Sequence, residues 1–183
     1  MTMICLHGPE STGKSTLIEQ LAKRYATVFV PEYGRTFAET HGTDFTMADL
    51  VEIARTHDAM TQAARATGAN LLFLDTDPLM TAVWADMLFG TRDPWFDAWH
   101  GTADLYLLLD IDLPWVEDGT RLFGSTAARQ RFFDLSRAEL ERRVLPYVLI
   151  SGRGPDRLAA ALDALATAGV EDPPIRRSPL CAD

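Results

Sequence analysis

Cysteine and lysine are scarce in this 183-residue sequence, and positive charge as a whole is in deficit. Cys5 and Cys181 are its only cysteines, too few for a disulfide framework or a cysteine-rich metal site. The 26 Asp and Glu outnumber the 17 Lys and Arg, which gives a formal net charge of −9. Because a general nucleic-acid binder needs a surplus of positive charge against the phosphates, the sequence predicts no nucleic-acid partner.

Long apolar runs are also missing. No stretch approaches the roughly 20 apolar residues that a helix needs to cross a bilayer. The first residues lack the basic and apolar pattern of a secretory signal. We therefore expect no membrane partner and a cytoplasmic location. Glycine and proline, with 12 and 10 residues, are too few and too scattered for a disordered or fibrous chain.

What the sequence does contain is a regular alternation of short apolar runs and segments with helical spacing. The candidate strands are residues 3–7, 27–30, 71–74, 105–109 and 147–150. Runs that are apolar on both faces suit a parallel sheet covered by helices above and below. The pattern predicts a three-layer α/β domain with about five parallel strands over residues 1–171. Its last helix should end near Gly169, and residues 172–183 should form an irregular tail.

The most specific motif is Gly8-Pro9-Glu10-Ser11-Thr12-Gly13-Lys14-Ser15, which matches G-x-x-x-x-G-K-[ST] at every fixed position. It follows a candidate strand and opens a candidate helix, as a phosphate-binding loop requires. Glycines let such a loop point its backbone N–H groups inward, and the helix adds the positive end of its dipole. We expect ATP to bind there, with Lys14 on the β- and γ-phosphates and Ser15 on Mg²⁺. The expected ATP-binding residues are Gly8, Glu10, Ser11, Thr12, Gly13, Lys14, Ser15, Thr16 and, near the adenine, Gly152 and Arg153.

A phosphate-binding loop is shared by kinases, GTPases and motor ATPases. The sequence has no N-K-x-D motif for reading guanine, and 183 residues leave little room for the extra subdomains of a motor. The pattern therefore favours a P-loop kinase fold in which a small acceptor receives the γ-phosphoryl group. A nucleotide-binding regulatory module with little turnover stays open as an alternative.

Three carboxylates follow candidate strands, at the edge of a parallel sheet where ligands bind. Glu32 is expected to accept or orient the proton of the acceptor hydroxyl, and Asp75 to hold Mg²⁺ or a ribose hydroxyl. Asp77 precedes Pro78 and fits a helix cap as well as it fits substrate binding. Tyr33 and Arg35, beside Glu32, are further candidates for substrate binding.

Residues 121–143 contain six arginines and three acids, a local excess of positive charge in an acidic chain. Arginines at this density are typical of a lid that closes on phosphates and excludes water. Arg121, Arg129 and Arg131 are the expected catalytic arginines of this Arg-rich lid. The alternative is a solvated helix face, which fits Arg142 and Arg143.

Four segments in this order resemble the NadR-type ribosylnicotinamide kinases. They are residues 8–17, the segment Pro31-Glu32-Tyr33-Gly34-Arg35, the segment Asp75-Thr76-Asp77-Pro78 with Trp84 and Phe89-Gly90 downstream, and residues 107–121. The resemblance covers roughly residues 1–170. It implies ATP-dependent phosphorylation of the ribose 5′-hydroxyl of N-ribosylnicotinamide to nicotinamide mononucleotide, a step of NAD biosynthesis.

The resemblance does not extend to every activity of the multifunctional NadR proteins. We find no adenylyltransferase-like G-x-F-x-x-x-H-x-G-H motif and no DNA-binding segment, so adenylyl transfer and repression are not expected. Kinases for another nucleoside, for dephospho-coenzyme A or for a shikimate-like acceptor remain alternatives.

The acceptor pocket is expected to suit a flat, cationic nucleoside. Aromatic faces are offered by Tyr33, Trp84, Trp95, Trp99 and Trp115, and a pyridinium ring is attracted to such a face by about 0.5–2 kcal/mol. A tryptophan at helical spacing is equally consistent with a core position. Asp112, Glu117 and Asp118 could anchor the lid or offset the cationic ring. The four histidines show no metal-ligand spacing and are interpreted as structural or surface residues.

Overall fold

A parallel sheet organises residues 1–172, the part of the chain that the computed structural model describes. Its strands are β1 (Thr2–His7), β2 (Phe29–Val30), β3 (Leu71–Asp75), β4 (Leu105–Leu109) and β5 (Tyr147–Ile150). Their order across the sheet is β2-β3-β1-β4-β5, and every pairing is parallel. The chain therefore builds one side of β1 first and then crosses to the other. Ligands of open α/β sheets bind where the strand order reverses in this way, at the carboxyl end of β1.

Seven helices connect and flank the strands within the described residues. They are α1 (Lys14–Tyr25), α2 (Tyr33–His41), α3 (Met47–Arg65), α4 (Pro78–Phe89), α5 (Pro94–Ala98), α6 (Thr126–Arg142) and α7 (Pro155–Thr167). Local chemistry sets several of their starts. Thr46 and Asp49 form a reciprocal capping box at α3. None of the helices in residues 1–172 combines the length and the apolar character that crossing a membrane would need.

The alternation of side chains along β1 divides the core into two layers. Ile4 and Leu6 pack on one face of the sheet in a cluster with α1 and α7. Met3 and Cys5 face the other side and join a cluster that includes Leu79 of α4. The two clusters confirm the predicted three-layer α/β architecture with helices on both faces of the sheet.

The structure differs from the sequence-based expectations mainly in the connections. The second strand is only two residues long, and α2 and α5 were not anticipated. The last helix ends at Thr167 with Ala168 as its cap residue, and Gly169, with φ +79°, lies one position beyond. The predicted irregular tail lies outside the described residues from residue 173 onward.

Candidate active site

The phosphate loop, residues 8–13, leaves the carboxyl end of β1 and leads directly into α1. Gly8 has φ +126°, and a Cβ there would lie 2.9 Å from the carbonyl oxygen of Leu109, so only glycine fits. Gly13 forms the N-cap of α1 and offers no side chain to its first N–H groups. These groups are left available for an anion, which is the arrangement that binds phosphates at helix N-termini.

Lys14 places a positive charge inside this loop. Its side chain is buried, and its Nζ donates hydrogen bonds to the carbonyl oxygens of Gly8 (2.9 Å) and Pro9 (2.8 Å). An ammonium group has three donors. One donor therefore remains for an oxygen of a bound phosphate.

Ser15 and Asp75 supply two neighbouring oxygen groups of the kind that bind metal ions, next to Lys14. The Ser15 hydroxyl donates to Oδ2 of Asp75 at 3.0 Å, and Oδ1 of Asp75 is buried with no hydrogen-bond partner among residues 1–172. Burial raises the pKa of the Asp75 carboxyl, while the charge of Lys14 and the Ser15 hydrogen bond oppose this shift. A hydroxyl beside an unsatisfied buried carboxylate oxygen suits a hard divalent cation, so these two residues fit a Mg²⁺ site.

Glu32 lies between this charged group and the acceptor side. It occupies the N-cap position of α2, but its side chain makes no capping hydrogen bond and lines the cavity instead. Burial raises the pKa of its carboxyl; Lys14 opposes the shift, and the negative charge of Asp75 adds to it. The structure thus brings together Lys14, Ser15, Glu32 and Asp75.

Asp77 is buried and does not line the cavity, so the structure does not support its expected role in substrate binding. Its Oδ1 accepts from the N–H of Leu79 (2.9 Å) as the cap of α4, and its Oδ2 accepts from the hydroxyl of Tyr106 (2.6 Å). Thr76, with φ +69°, turns the chain between the two carboxylates. Asp75 therefore faces Ser15, whereas Asp77 turns into the core, where burial raises its pKa to about 6. The capping alternative describes the observed position.

A cavity of about 1040 Å³, solvent at its mouth included, opens beside the phosphate loop. Its lining includes this loop, Glu32, Tyr33 and Arg35. It also includes a group of apolar side chains, which are Ala38, Phe45, Leu50, Ile53, Met80 and Trp84. Trp84 packs against Phe45, Phe123 and Phe132, so it belongs both to the cavity wall and to an aromatic cluster. A largely apolar lining with a few convergent polar groups is typical of a small-molecule site.

His57 also lines this cavity, a role that the sequence analysis did not assign to it. Its ring is buried, and neither ring nitrogen has a hydrogen-bond partner among residues 1–172. Desolvation lowers the pKa of His57 to about 4, so the imidazole is neutral at pH 7. A sequence signal did exist, because His57 falls on the buried stripe of α3 with Leu50 and Ile53.

The lid loop, residues 110–125 between β4 and α6, is held against the phosphate loop by side chains of that loop. Oε1 of Glu10 accepts from the N–H of Phe123 (2.7 Å) and from the indole of Trp115 (3.4 Å). The Ser11 hydroxyl accepts from the N–H of Val116 at 2.9 Å. The side chains of Glu10 and Ser11, both expected to bind ATP, are thus directed to the lid loop.

Of the three expected lid arginines, only Arg121 lines the cavity. Arg129 is buried and donates to the carbonyl oxygen of Leu113 at 2.9 Å, so it supports the lid loop from below. Arg131 is exposed on α6 and does not reach the cavity wall. The Arg-rich segment is therefore mostly a helix packed on the core, and the loop before this helix is the part that contacts the phosphate loop.

The solvated face expected for Arg142 and Arg143 is wrong for Arg143, whose side chain is largely buried. Both arginines pair with the buried carboxylate of Glu139, which also pairs with Arg92. Arg143 further donates to the carbonyl oxygens of Trp99 and Phe96. This cluster joins α6 to the segment around α5.

Arg157 is a second residue that sequence reasoning missed. It is almost fully buried in the first turn of α7 and donates to the carbonyl oxygens of Thr12 (2.6 Å) and Gly152 (2.8 Å) and to the carboxylate of Asp112. A positive charge in the first turn is opposed by the helix dipole. That unfavourable placement was a sequence signal that Arg157 serves specific partners.

Gly152 and Arg153, expected near the adenine, both contact the start of the lid loop. The N–H of Gly152 donates to Oδ2 of Asp112 at 2.6 Å, and Arg153 donates to the carbonyl oxygen of the same residue at 2.9 Å. Neither residue lines the cavity described above. Their contact with the nucleotide stays a prediction.

Comparison with known proteins gives concordant results. The model of a family described as "AAA domain" matches residues 3–157. The trifunctional NAD biosynthesis/regulator protein NadR of Escherichia coli K12 is 31% identical over 153 residues, which are 80% of this chain and 37% of that protein. NadR of Salmonella typhimurium LT2 is 31% identical over 151 residues, 79% of this chain and again 37% of the relative. The chain thus spans little more than a third of these curated relatives.

Solved structures show the same fold. A crystal structure of NadR in complex with NR has a TM-score of 0.80 at 23% identity and covers 96% of this chain and 54% of that one. Thymidylate kinase from Ehrlichia chaffeensis has a TM-score of 0.65 at 14% identity, covering 91% of this chain and 98% of that one. A deoxyadenosine kinase from M. mycoides also has a TM-score of 0.65, at 11% identity, covering 91% of this chain and 100% of that one.

Proposed function

The chain belongs to the AAA domain family, and from this premise we propose that it is an ATP-dependent kinase for the ribose 5′-hydroxyl of N-ribosylnicotinamide. The product would be nicotinamide mononucleotide, a precursor in NAD biosynthesis. The similarity to the NadR proteins supports this choice of substrate. The proposal concerns the kinase step alone, because the chain spans only 37% of those relatives.

The observation that carries the proposal is the continuity of the cavity. One cavity is lined by the phosphate loop, by Glu32 and by an apolar group that includes Trp84. A triphosphate at one end and a nucleoside at the other would meet beside Glu32. Such pre-positioning contributes most of the catalysis of phosphoryl transfer, which needs little covalent chemistry from the protein.

The residues around the phosphate loop would bind and orient the triphosphate. The amides of residues 8–13 and the first turn of α1 offer donors to the phosphate oxygens, and Lys14 adds its third donor. Ser15 and Asp75 would hold Mg²⁺, which supplies charge neutralisation on the phosphates when bound. Arg121 on the lid loop would stabilise charge on the migrating group and help to exclude water.

Glu32 would hold the proton of the acceptor hydroxyl. Its raised pKa places its proton affinity closer to neutral pH than that of an ordinary glutamate, which favours a role as general base. Because the transition state of phosphoryl transfer is loose, orientation of the hydroxyl by this carboxylate matters together with basicity.

The apolar group of the cavity lining favours a flat cationic ring. Trp84 and Tyr33 offer π-faces that attract a pyridinium cation. His57, neutral at pH 7, adds no repelling charge to this wall. A neutral nucleobase lacks the cation–π attraction, so deoxynucleosides should bind less tightly.

The test is a coupled ADP-release assay with a panel of acceptors: N-ribosylnicotinamide, thymidine, deoxyadenosine, dephospho-coenzyme A and shikimate. We expect N-ribosylnicotinamide to give the highest kcat/KM and phosphorus NMR to identify a 5′-monophosphate. Lys14→Ala should abolish ATP binding, while the control Lys23→Ala, at an exposed lysine of α1, should retain it. Preference for another acceptor would refute the substrate, and ADP release that no acceptor stimulates would refute the kinase.

A further inference from the structure

Asp118 of the lid loop lies between two arginines of the cavity wall. Its Oδ2 is 2.9 Å from Nη1 of Arg35 and 3.1 Å from Nε of Arg121. Its Oδ1 accepts hydrogen bonds from the N–H of Thr120 (3.1 Å) and from the Thr120 hydroxyl (2.8 Å). Both carboxylate oxygens are therefore engaged, and the orientation of the carboxylate is set.

The two arginines belong to different elements that line the cavity. Arg35 lies in the first turn of α2, next to the proposed base Glu32. Arg121 lies on the lid loop, where its Nη1 is 3.4 Å from the Ser11 hydroxyl and also donates to the carbonyl oxygen of Val116. Asp118 thus connects the acceptor side of the site with the phosphate side.

This connection leaves part of each guanidinium available. Arg35 uses Nη1 for a hydrogen bond to Asp118, and Arg121 uses Nη1 for hydrogen bonds to Val116 and Ser11. Nε of Arg121 is paired with Asp118 by charge alone, since it makes no hydrogen bond within residues 1–172. Nη2 of either arginine makes no hydrogen bond within residues 1–172. A guanidinium is a rigid planar fork, so fixing one edge directs the remaining N–H groups.

Asp118 also balances charge in the cavity. Two arginines without a counter-charge would repel both each other and a cationic nucleoside. Burial opposes ionisation of Asp118, but the hydrogen bonds from Arg35 and Thr120 outweigh it and hold the pKa of the carboxyl at about 2. The carboxylate is therefore charged throughout the working range of a kinase.

We propose that Asp118 is a positioning residue that holds Arg35 toward the acceptor and Arg121 toward the migrating phosphoryl group. It thereby keeps the lid loop correctly placed relative to the bound acceptor. The inference rests on the proposed function for the roles of these two arginines. The side chains of Arg35, Asp118 and Arg121 are 38%, 26% and 19% exposed. Ion pairs this accessible to water contribute little to stability, so the effect of Asp118 falls on turnover rather than on folding.

The first experiment compares Asp118→Asn with Glu117→Gln in the full chain. Glu117 is the adjacent, exposed carboxylate of the same loop, so the control makes the same change in charge. With N-ribosylnicotinamide as acceptor, we expect Asp118→Asn to lower kcat/KM about tenfold, through a lower kcat and a higher acceptor KM. Its melting temperature should match that of Glu117→Gln, and in an Arg121→Ala background it should lower kcat no further. Equal kinetic constants for the two variants would overturn the inference.

A second experiment does not depend on the identity of the acceptor. Trypsin cleaves after arginine, and Arg121 is held in the wild-type chain by Asp118, Val116 and Ser11. We expect cleavage at Arg121 to be several-fold faster in Asp118→Asn than in Glu117→Gln, and an equal rate would refute the positioning role. If the wild type phosphorylates no acceptor, the proposed function fails, and the cleavage rates alone decide the role of Asp118.

Discussion

Replacement of Arg157 by methionine tests how the phosphate loop is held in place. Methionine keeps most of the apolar stem of the side chain but removes the charge and every donor. Arg157 joins the phosphate loop, through the Thr12 carbonyl, to the loop after β5, through the Gly152 carbonyl. The variant loses both links and the ion pair with Asp112.

The expected cost follows from these contacts. Breaking a buried ion pair costs about 3–5 kcal/mol, because the remaining partner is left without compensation. The Asp112 side chain is 30% exposed and keeps its hydrogen bond from Gly152, which places the cost at the lower end. The buried carbonyl of Thr12 loses its Arg157 donor at the same time. We therefore expect Arg157→Met to lower the free energy of unfolding by about 3 kcal/mol.

Urea unfolding followed by circular dichroism measures this change. With a slope of about 2 kcal/mol per molar urea, the midpoint should fall by about 1.5 M. Arg157→Lys keeps the charge but loses the planar fork of donors, so its urea midpoint should lie between those of the wild type and Arg157→Met. The control Arg153→Met removes an exposed arginine of the same loop and should shift the midpoint by less than about 0.3 M. The reasoning fails if Arg157→Met and Arg153→Met unfold at the same urea concentration.

Three further predictions concern the proposed base, the aromatic wall and the buried cluster of α6. Glu32→Gln should lower kcat about 100-fold by steady-state kinetics while calorimetry shows an ATP affinity within about twofold of wild type. Trp84→Leu should raise the KM for N-ribosylnicotinamide about 3- to 30-fold and leave the KM for ATP unchanged. The arginines around Glu139 hold the pKa of its carboxyl at about 2, below its ordinary value of 4.5, so its ion pairs stabilise the fold above about pH 4.5 and the contribution is lost as the pH falls through about 2. The free energy of unfolding of Glu139→Gln should accordingly be about 3 kcal/mol lower than that of the wild type at pH 7. In urea titrations this difference should shrink between pH 5 and pH 2.

Each of these predictions has a matched control and a result that contradicts it. Glu19→Gln, at an exposed carboxylate of α1, should leave kcat unchanged; an active Glu32→Gln enzyme would move the base role to another group. Trp95→Leu changes a tryptophan outside the cavity, and an equal KM for both tryptophan variants would place the acceptor elsewhere. Glu141→Gln, exposed on α6, should show no comparable pH dependence, and parallel curves for the two glutamate variants would contradict the assigned pKa.

Features encoded by neighbouring residues could be predicted from the sequence. The phosphate loop is a local strand–loop–helix unit, and its glycines, Lys14 and Ser15 lie where the motif places them. Glu32 and Asp75 follow buried strands, and the parallel sheet brings the ends of those strands to one edge. The motif and the position of the two carboxylates after strands therefore predicted which charged residues the structure brings together.

Features that depend on distant parts of the chain could not be predicted in this way. Arg157 and Thr12 are 145 residues apart, and Arg92 and Glu139 are 47 apart. A count of arginines showed where positive charge accumulates, but the partners of each arginine depend on tertiary packing. The placement of Asp77 likewise required Tyr106 and the left-handed turn at Thr76, neither of which a strand-end pattern specifies.

The docking of the lid loop on Glu10 and Ser11 divides labour within one short motif. The phosphate loop lines the cavity, whereas its Glu10 and Ser11 side chains accept hydrogen bonds from the lid loop. A nucleotide that shifts this backbone would therefore also move the lid loop, because Glu10 and Ser11 join the two segments by direct hydrogen bonds. Substitutions of Glu10 or Ser11 would then change how the lid loop is held, while the main-chain donors for the phosphates stay in place.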